Sequence, residues 1–172
     1  MSPFRNMGGL DNEKRAIALV DLLREHDLTV ATAESLTGGL VSAVIVDVPG
    51  ASDVLRGAVV AYANEIKRDL LGVDAELLEE RGAVNGTAAA EMAIGVRNLM
   101  GADVGIATTG VAGPGPADGV PAGTAFVSCS WAKDEPAVRA LRLDGDRAQV
   151  RTLVVTRALE LAEATIRQTS GI

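Results

Sequence analysis

Residues 32–39, Thr-Ala-Glu-Ser-Leu-Thr-Gly-Gly, join an apolar extended run, Leu28–Ala33, to an apolar helical run, Leu40–Val46. Ser35 therefore lies at a predicted strand-to-helix junction. Backbone N–H groups at a helix start lack intrahelical partners, and the helix dipole favours negative charge there. A serine alkoxide or a reaction oxyanion would be stabilised at this point. Serine is also a common helix cap, so the motif alone leaves both predictions, nucleophile and cap, open.

A second predicted strand-to-helix junction carries Lys67 near the start of a helix. Asn64 is expected to cap that helix, which puts Lys67 at about its third position. The helix dipole opposes a cation there and lowers its pKa, and burial would add to the shift, as a lysine general base requires. The alternative is a solvated surface lysine. Tyr62, at the end of the preceding apolar run, is either a core residue or a proton relay beside Ser35 and Lys67.

Two further segments could hold an anion. Thr109 ends an apolar run, and the glycines that follow, Gly110 and Gly113 among them, can form a nest of N–H groups. The spacing matches neither a phosphate-binding P-loop nor a dinucleotide fingerprint. Asp144-Gly145-Asp146 reads as a turn and cap before the last helix, and Arg147 as a phosphate ligand.

The sequence lacks the residues that a Ser-His-Asp triad or a metal-dependent mechanism requires. His26 is the one histidine and is expected at the surface, so there is no candidate for a Ser-His-Asp triad. The one cysteine, Cys129, excludes an internal disulfide or a cysteine zinc site and is predicted to be a buried, inert strand thiol. The carboxylates show no metal-binding spacing. We expect no metal and no cofactor.

The charge and composition of the chain argue against nucleic-acid and membrane partners. The 172-residue chain has a net charge of −7 and 2% aromatic residues, so it lacks the basic patches and stacking platforms of nucleic-acid surfaces. Its longest apolar stretch, Leu40–Val46, is far shorter than the ~20 residues that span a bilayer, and the N-terminus has no signal-like apolar segment. We expect a cytoplasmic protein that binds a small molecule, with no nucleic acid or membrane partner.

Helical and extended patterns alternate, which predicts one α/β domain with a mixed sheet over residues 12–170 after a flexible tail over 1–11. Three connecting segments fall at strand ends, where open α/β sheets bind ligands. The 57–63 strand is expected to be covered on both faces, and 112–123 to be a loop. The predicted helices cover 12–25, 38–48, 64–71, 74–81, 87–100 and 146–168, and the strands 28–33, 57–63, 102–109, 123–132 and 137–143.

In this order, the motifs resemble the C-terminal domain of the CinA (competence/damage-inducible) family, most closely its stand-alone form, nicotinamide-nucleotide amidohydrolase. The resemblance covers about Asn12 to Arg167. It rests on the Ser35 octet, on Tyr62-Ala63-Asn64-Glu65-Ile66-Lys67, on Gly82-Ala83-Val84, on Thr109-Gly110-Val111-Ala112-Gly113-Pro114, on Pro121-Ala122-Gly123-Thr124 and on Gly145-Asp146-Arg147. It departs from the family pattern at Leu36, Asn85 and Val120 and in a shortened loop over 115–119.

The resemblance implies a three-layer α/β/α fold and hydrolysis of the amide of nicotinamide mononucleotide to nicotinic acid mononucleotide and ammonia. It implies Ser35 as nucleophile, Lys67 as base and Tyr62 as proton relay. The substrate-binding residues that we expect are Thr37, Gly38, Gly39, Ser52, Asn64, Thr109, Gly110, Gly113 and Arg147.

Two other functions remain open: a non-catalytic nucleotide-binding sensor or scaffold of the same fold, and an amidase for another small amide. The Ser35, Tyr62 and Lys67 set favours an enzyme, because a binding module needs no lysine at an unfavourable helix position. The Ala/Val-rich composition is compatible with a homo-oligomer, which we expect.

Overall fold

The computed structural model describes residues 9–132 and 134–170, over which helices and strands alternate as the patterns predict. Within these ranges no helix is both long and apolar enough to cross a membrane. The elements are α1 Gly9–Glu25, β1 Val30–Glu34, α2 Leu40–Val46, β2 Leu55–Val60, α3 Asn64–Leu71, α4 Ala75–Arg81, α5 Gly86–Met100, β3 Val104–Gly110, β4 Thr124–Trp131, β5 Ala137–Arg142 and α6 Arg147–Ser170.

The five strands form one mixed sheet in the order β2-β1-β3-β4-β5. The first three run parallel, whereas β4 is antiparallel to β3 and β5 is antiparallel to β4. Glu34, the last residue of β1, lies in register with Val60 of β2 and Thr108 of β3. The carboxyl ends of the three parallel strands therefore meet at one edge of the sheet, where α/β domains bind ligands.

Helices cover both faces of the sheet, which confirms the three-layer α/β/α prediction. One hydrophobic cluster joins the sheet to α1, α2 and α6, and a second joins it to α3, α4 and α5. All five residues of β1 are buried, because this strand lies between two others and under both helical layers. Cys129 in β4 is buried as predicted, and burial raises the pKa of its thiol to about 12.

Two glycines allow α5 to pack closely against its neighbours. A Cβ atom on Gly95 would lie 1.9 Å from the carbonyl oxygen of Leu71 in α3, and one on Gly105 of β3 would lie 2.0 Å from that of Ala93. Any other residue would push the backbones apart. The end of α3 is thereby held close to α5 and, through it, to the sheet, which fixes the helix that carries Lys67.

The prediction that the 57–63 strand is covered on both faces is wrong. β2 ends at Val60, and its side chains alternate between partly buried and exposed. The strand lies at the edge of the sheet, so the helical layers cover it incompletely. The predicted tail over 1–11 is also too long, because α1 begins at Gly9; residues 1–8 lie outside the described part of the chain.

Candidate active site

A cavity of about 420 Å³ opens at the carboxyl ends of β1, β2 and β3. All three candidate catalytic side chains line it, together with one of the arginines and the glycine-rich loop. Its lining comprises Ser35, Leu36, Tyr62, Asn64, Lys67, Ala83, Val84, Thr109, Gly110, Val111, Ala112, Gly113, Pro114, Gly115, Pro116, Ala117, Asp118 and Arg147.

Ser35 is the first residue after β1 and continues the strand hydrogen-bonding pattern. Its N–H donates to the carbonyl of Thr108 at 3.0 Å, which fixes its backbone beside β3. The residue is 9% exposed, and its Oγ makes no hydrogen bond to any described residue. A largely buried hydroxyl without a hydrogen-bond partner among these residues is available to a ligand in the cavity.

The prediction that N–H groups at the start of α2 would stabilise an oxyanion beside Ser35 is wrong. The buried carboxylate of Glu34 accepts the N–H groups of Gly39 and Val41 at 3.0 Å and that of Ser42 at 2.8 Å. α2 begins at Leu40, five residues after Ser35, so Ser35 is not its cap either. The Glu34 carboxylate therefore occupies the anion site at the start of α2, and an oxyanion of a ligand needs hydrogen-bond donors from another part of the cavity.

Lys67 is almost completely buried, with 1% of its surface exposed, which excludes the solvated alternative. Its Nζ donates to the carbonyl oxygen of Tyr62 at 3.0 Å. Burial lowers the pKa of Lys67 from 10.5 to about 8, although the nearby Glu65 carboxylate raises it. Lys67 and Ser35 line the same cavity without a direct hydrogen bond between Nζ and Oγ, as is common before a substrate binds.

The helix that carries Lys67 is capped differently from the prediction. Ala63, in extended conformation, precedes the first helical residue, and no side chain caps the helix. Asn64 is therefore the first residue of α3 and Lys67 the fourth. Because Asn64 does not cap the helix, its side chain remains available at the cavity wall.

Tyr62 and Arg147 meet at the mouth of the cavity. Tyr62 is 61% exposed, so it is not a core residue. The Arg147 guanidinium donates to the Tyr62 hydroxyl oxygen at 3.2 Å and to the carbonyl of Gly113 at 2.9 Å. As predicted, Asp146 caps α6, by accepting the N–H of Gln149 at 2.9 Å. Arg147 is the first residue of α6, so its charge and the helix dipole both favour an anion there.

The loop after β3 forms the remaining wall. Thr109 Oγ1 donates to the carbonyl of Ala83 at 2.8 Å and so ties the end of β3 to the segment before α5. Further along, Ala117 and Val120 pair through backbone hydrogen bonds of 3.0 and 2.8 Å around Asp118 and a glycine. Asp118 has a φ of 49°, a conformation that aspartate tolerates better than most residues. The loop is therefore closed by a tight turn.

Four of the predicted binding residues are not part of the cavity wall. Thr37 is buried, with its Oγ1 2.7 Å from that of Thr108. Gly38 and Gly39 build the turn into α2 with φ angles of 60° and 96°. Ser52 lies in a 3-10 helix just before β2 begins, at the opposite end of the sheet from the cavity. Thr37, Gly38 and Gly39 therefore belong to the turn that connects Ser35 to α2, and Ser52 lies far from the cavity.

The sequence-based prediction missed two residues that hold the Ser35 segment. Glu34 is the buried anion at the start of α2, and Arg151 contacts the backbone after Ser35 from α6. A glutamate between an apolar strand and a helix start is a usable signal, because it must find donors when buried. Arg151 lies four residues after Arg147, on the same face of the helix. Among described residues, no cluster of three or more His, Cys, Asp or Glu side chains could hold a metal ion.

The fold and site together define a class: a three-layer α/β/α domain with a cavity, lined in part by a serine and a lysine, at the carboxyl ends of its parallel strands. Residues 12–166 match the family model described as the CinA C-terminal domain, and the chain belongs to that family. It is 47% identical over 154 residues to a CinA-like protein of Frankia casuarinae and 42% identical over 153 residues to one of Thermotoga neapolitana.

These alignments cover 90% and 88% of this chain but only 35% and 37% of the two relatives. Solved structures of similar length share the fold. The competence/damage inducible protein of Agrobacterium tumefaciens superposes with a TM-score of 0.87 at 33% identity, covering 92% of this chain and 96% of the other. The competence-damaged (CinA) superfamily protein of Escherichia coli gives a TM-score of 0.84 at 32% identity, covering 94% and 96%.

Proposed function

We propose that this domain hydrolyses the carboxamide of nicotinamide mononucleotide to nicotinic acid mononucleotide and ammonia, with Ser35 as nucleophile. The observation that carries the proposal is Lys67, a buried amine with a pKa lowered to about 8 that lines the same cavity as an unpartnered serine hydroxyl. Compared with an unshifted lysine, a shift from 10.5 to about 8 raises the neutral fraction near pH 7 by roughly 300-fold. A neutral amine is what a lysine general base requires.

In the first half-reaction, neutral Lys67 accepts the Ser35 proton while Ser35 Oγ bonds to the amide carbon. The tetrahedral intermediate carries its negative charge on the former amide oxygen. When the C–N bond breaks, the Lys67 ammonium returns a proton to the nitrogen and ammonia leaves. Ser35 is then esterified to the nicotinoyl group, and Lys67 is neutral again.

Water completes the cycle. Lys67 accepts a proton from water as the water oxygen attacks the ester. When the intermediate collapses, Lys67 returns that proton to Ser35 Oγ, which regenerates the serine hydroxyl and releases the acid product. Tyr62 acts as the proton relay in these steps. Arg147 donates a hydrogen bond to the Tyr62 hydroxyl oxygen, so the phenolic hydrogen is left to donate to the substrate. The carbonyl of Tyr62 also orients the Lys67 amine.

The nucleotide part of the substrate is proposed to bind at the mouth of the cavity, with its phosphate on Arg147 at the start of α6. Replacing Arg147 with Gln is expected to raise KM for nicotinamide mononucleotide by about 10- to 100-fold, because a charge-assisted contact is lost. The KM for nicotinamide riboside, which has no phosphate, should change by less than about threefold. Steady-state kinetics with both substrates measure this, and Arg142→Gln on β5 is the control. Equal effects on both substrates would contradict the phosphate assignment.

The lowered pKa of Lys67 sets the expected pH profile. The base works only when neutral, so kcat/KM should rise about tenfold per pH unit below pH 8 and level off above about pH 8. Initial rates of ammonia release between pH 6 and 10 measure it. A profile that is flat across pH 7–9, or one that falls there, would contradict a lysine base.

The proposal is tested by incubating the purified protein with nicotinamide mononucleotide and separating the products by chromatography, with a panel of other small amides in parallel. Formation of nicotinic acid mononucleotide supports the proposed substrate. Turnover of a different amide alone would identify an amidase of other specificity. Thermal stabilisation by pyridine nucleotides without ammonia release from any amide would identify a nucleotide-binding module instead.

A further inference from the structure

The oxyanion that forms on the substrate when Ser35 attacks the amide carbon needs hydrogen-bond donors, and the start of α2 cannot supply them because Glu34 occupies it. The backbone N–H of Leu36, the residue that follows the nucleophile, is a better candidate. Leu36 lines the cavity and is 4% exposed, and its N–H donates no hydrogen bond within the described ranges of the chain. A nearly buried N–H without a partner is costly unless a ligand accepts from it.

The turn that contains Leu36 is held from outside by one side chain. Arg151 of α6 donates from Nε to the carbonyl of Leu36 and from its Nη2 to the carbonyl of Thr37, both at 2.9 Å. A Cβ atom on Gly38 would lie 3.5 Å from Arg151 Nη2, an ordinary van der Waals distance, so this contact does not depend on the missing side chain of Gly38. A planar guanidinium that meets two successive carbonyls fixes the orientation of both peptide planes.

Because peptide bonds are planar, the orientation of the Thr37 carbonyl also determines where the N–H of Leu36 points. In a trans peptide the N–H points opposite to the carbonyl before it. With the Thr37 carbonyl turned towards Arg151, the N–H of Gly38 points the other way, where it donates to the carbonyl of Ser35 at 3.0 Å. The Ser35 carbonyl is thereby fixed, and the N–H of Leu36 must point away from it.

We propose that Arg151 is a positioning residue that holds the Leu36 N–H as an oxyanion donor for the reaction at Ser35. This inference rests on the proposed serine chemistry and deepens it. Among the described residues, Arg151 hydrogen-bonds only to backbone carbonyls of the turn, whereas Arg147, one helical turn earlier, lines the cavity. The two arginines on one helix face therefore have separable effects: Arg147 acts on substrate affinity and Arg151 on the rate of the chemical step.

The kinetic test replaces Arg151 with Gln and, separately, with Lys. Arg151→Gln is expected to lower kcat about 10- to 100-fold, leave KM within about threefold and leave the pH midpoint unmoved. Arg151→Lys keeps one donor and should retain more activity. Arg157→Gln is the matched control, because Arg157 lies on the same helix but pairs with Glu160. An unchanged kcat in the Gln variant, or a loss that appears only in KM, would overturn the proposal.

A second readout does not depend on the natural substrate. A fluorophosphonate probe reacts with an activated serine: the Ser35 Oγ–P bond forms, fluoride leaves, the serine proton passes to Lys67, and negative charge develops on the phosphoryl oxygen. Peptide mass spectrometry is expected to show Ser35 labelled at least about tenfold more slowly in Arg151→Gln than in the parent and in Arg157→Gln. Equal labelling rates in all three proteins would overturn the role of Arg151.

The two readouts separate the two proposals. If the parent protein labels at an Arg151-dependent rate but releases no ammonia from nicotinamide mononucleotide, the substrate is wrong and the positioning role stands. If the parent protein deamidates the nucleotide and Arg151→Gln does so equally fast, the substrate stands and the positioning role fails. A parent protein that neither labels nor deamidates contradicts both.

Discussion

Ser35→Ala is expected to lower the rate of nicotinamide mononucleotide deamidation by about 10³-fold or more, because alanine has no hydroxyl with which to form the acyl-enzyme. Ser35 Oγ has no hydrogen bond to any residue in the described ranges, so its removal should leave the thermal midpoint within about 2 °C of the parent. Product formation followed by chromatography and a thermal scan measure the two quantities.

The matched control for this variant is Ser52→Ala, because Ser52 is exposed and lies in the 3-10 helix at the opposite end of the sheet. It should retain parental activity. Retained turnover in Ser35→Ala would contradict the nucleophile, whereas a large loss in Ser52→Ala would mean that the active site extends to the other end of the sheet.

Lys67→Met is expected to abolish turnover and to make the protein more stable at neutral pH. The lowered pKa means that the folded protein pays for keeping a charge buried: a shift from 10.5 to about 8 corresponds to roughly 3 kcal/mol. A methionine of similar length removes that cost. The variant also loses the hydrogen bond to the Tyr62 carbonyl, and this loss lowers its stability by about 1–2 kcal/mol. The net gain of about 1–2 kcal/mol corresponds to a rise of about 3–6 °C in thermal midpoint.

The pH dependence identifies the cause of this gain. Between pH 8 and 10.5 the unfolded chain binds more protons at this lysine than the folded one, so the stability of the parent rises with pH there. The advantage of Lys67→Met should therefore be full below about pH 8, shrink as the pH rises, and give way by about pH 10.5 to a deficit of about 1 kcal/mol from the lost hydrogen bond. Denaturant titrations at several pH values, with the exposed Lys14→Met as control, measure it. A Lys67→Met protein that is less stable than the parent at pH 7, or an advantage that persists at pH 10.5, would contradict a buried amine with a lowered pKa.

Periodicity predicted most of the fold because the signals were local. The bounds of α3 agree with the predicted 64–71 helix, and α4 and α5 begin within one residue of the prediction. The edge position of β2 could not be predicted in the same way. From Gly57 to Val60 its sequence is apolar on both faces, and Val60 is nevertheless 49% exposed because the helical layers cover this edge strand incompletely. Strand order is a property of the whole sheet.

The candidate site could be predicted as three strand-end segments, because parallel strands bring their carboxyl ends to one edge. This brought Ser35, Tyr62, Lys67 and Thr109 to one cavity, which Arg147 reaches from the start of α6. The use of each N–H group could not be predicted. Glu34 reaches the start of α2 only once β1 and α2 have packed, and Arg151 contacts a carbonyl 115 residues away in sequence. Such contacts depend on tertiary geometry, and sequence spacing does not encode them.

The esterified Ser35 intermediate is the central claim, and trapping it with hydroxylamine is the most direct test. The parent protein and nicotinamide mononucleotide are mixed at pH 8.5 with increasing hydroxylamine, and products are identified by mass spectrometry. An acyl-enzyme predicts that the hydroxamate of nicotinic acid mononucleotide replaces the acid as hydroxylamine increases, and that neither product forms with Ser35→Ala. Deamidation that yields only the acid at every hydroxylamine concentration, or that continues in Ser35→Ala, would contradict it.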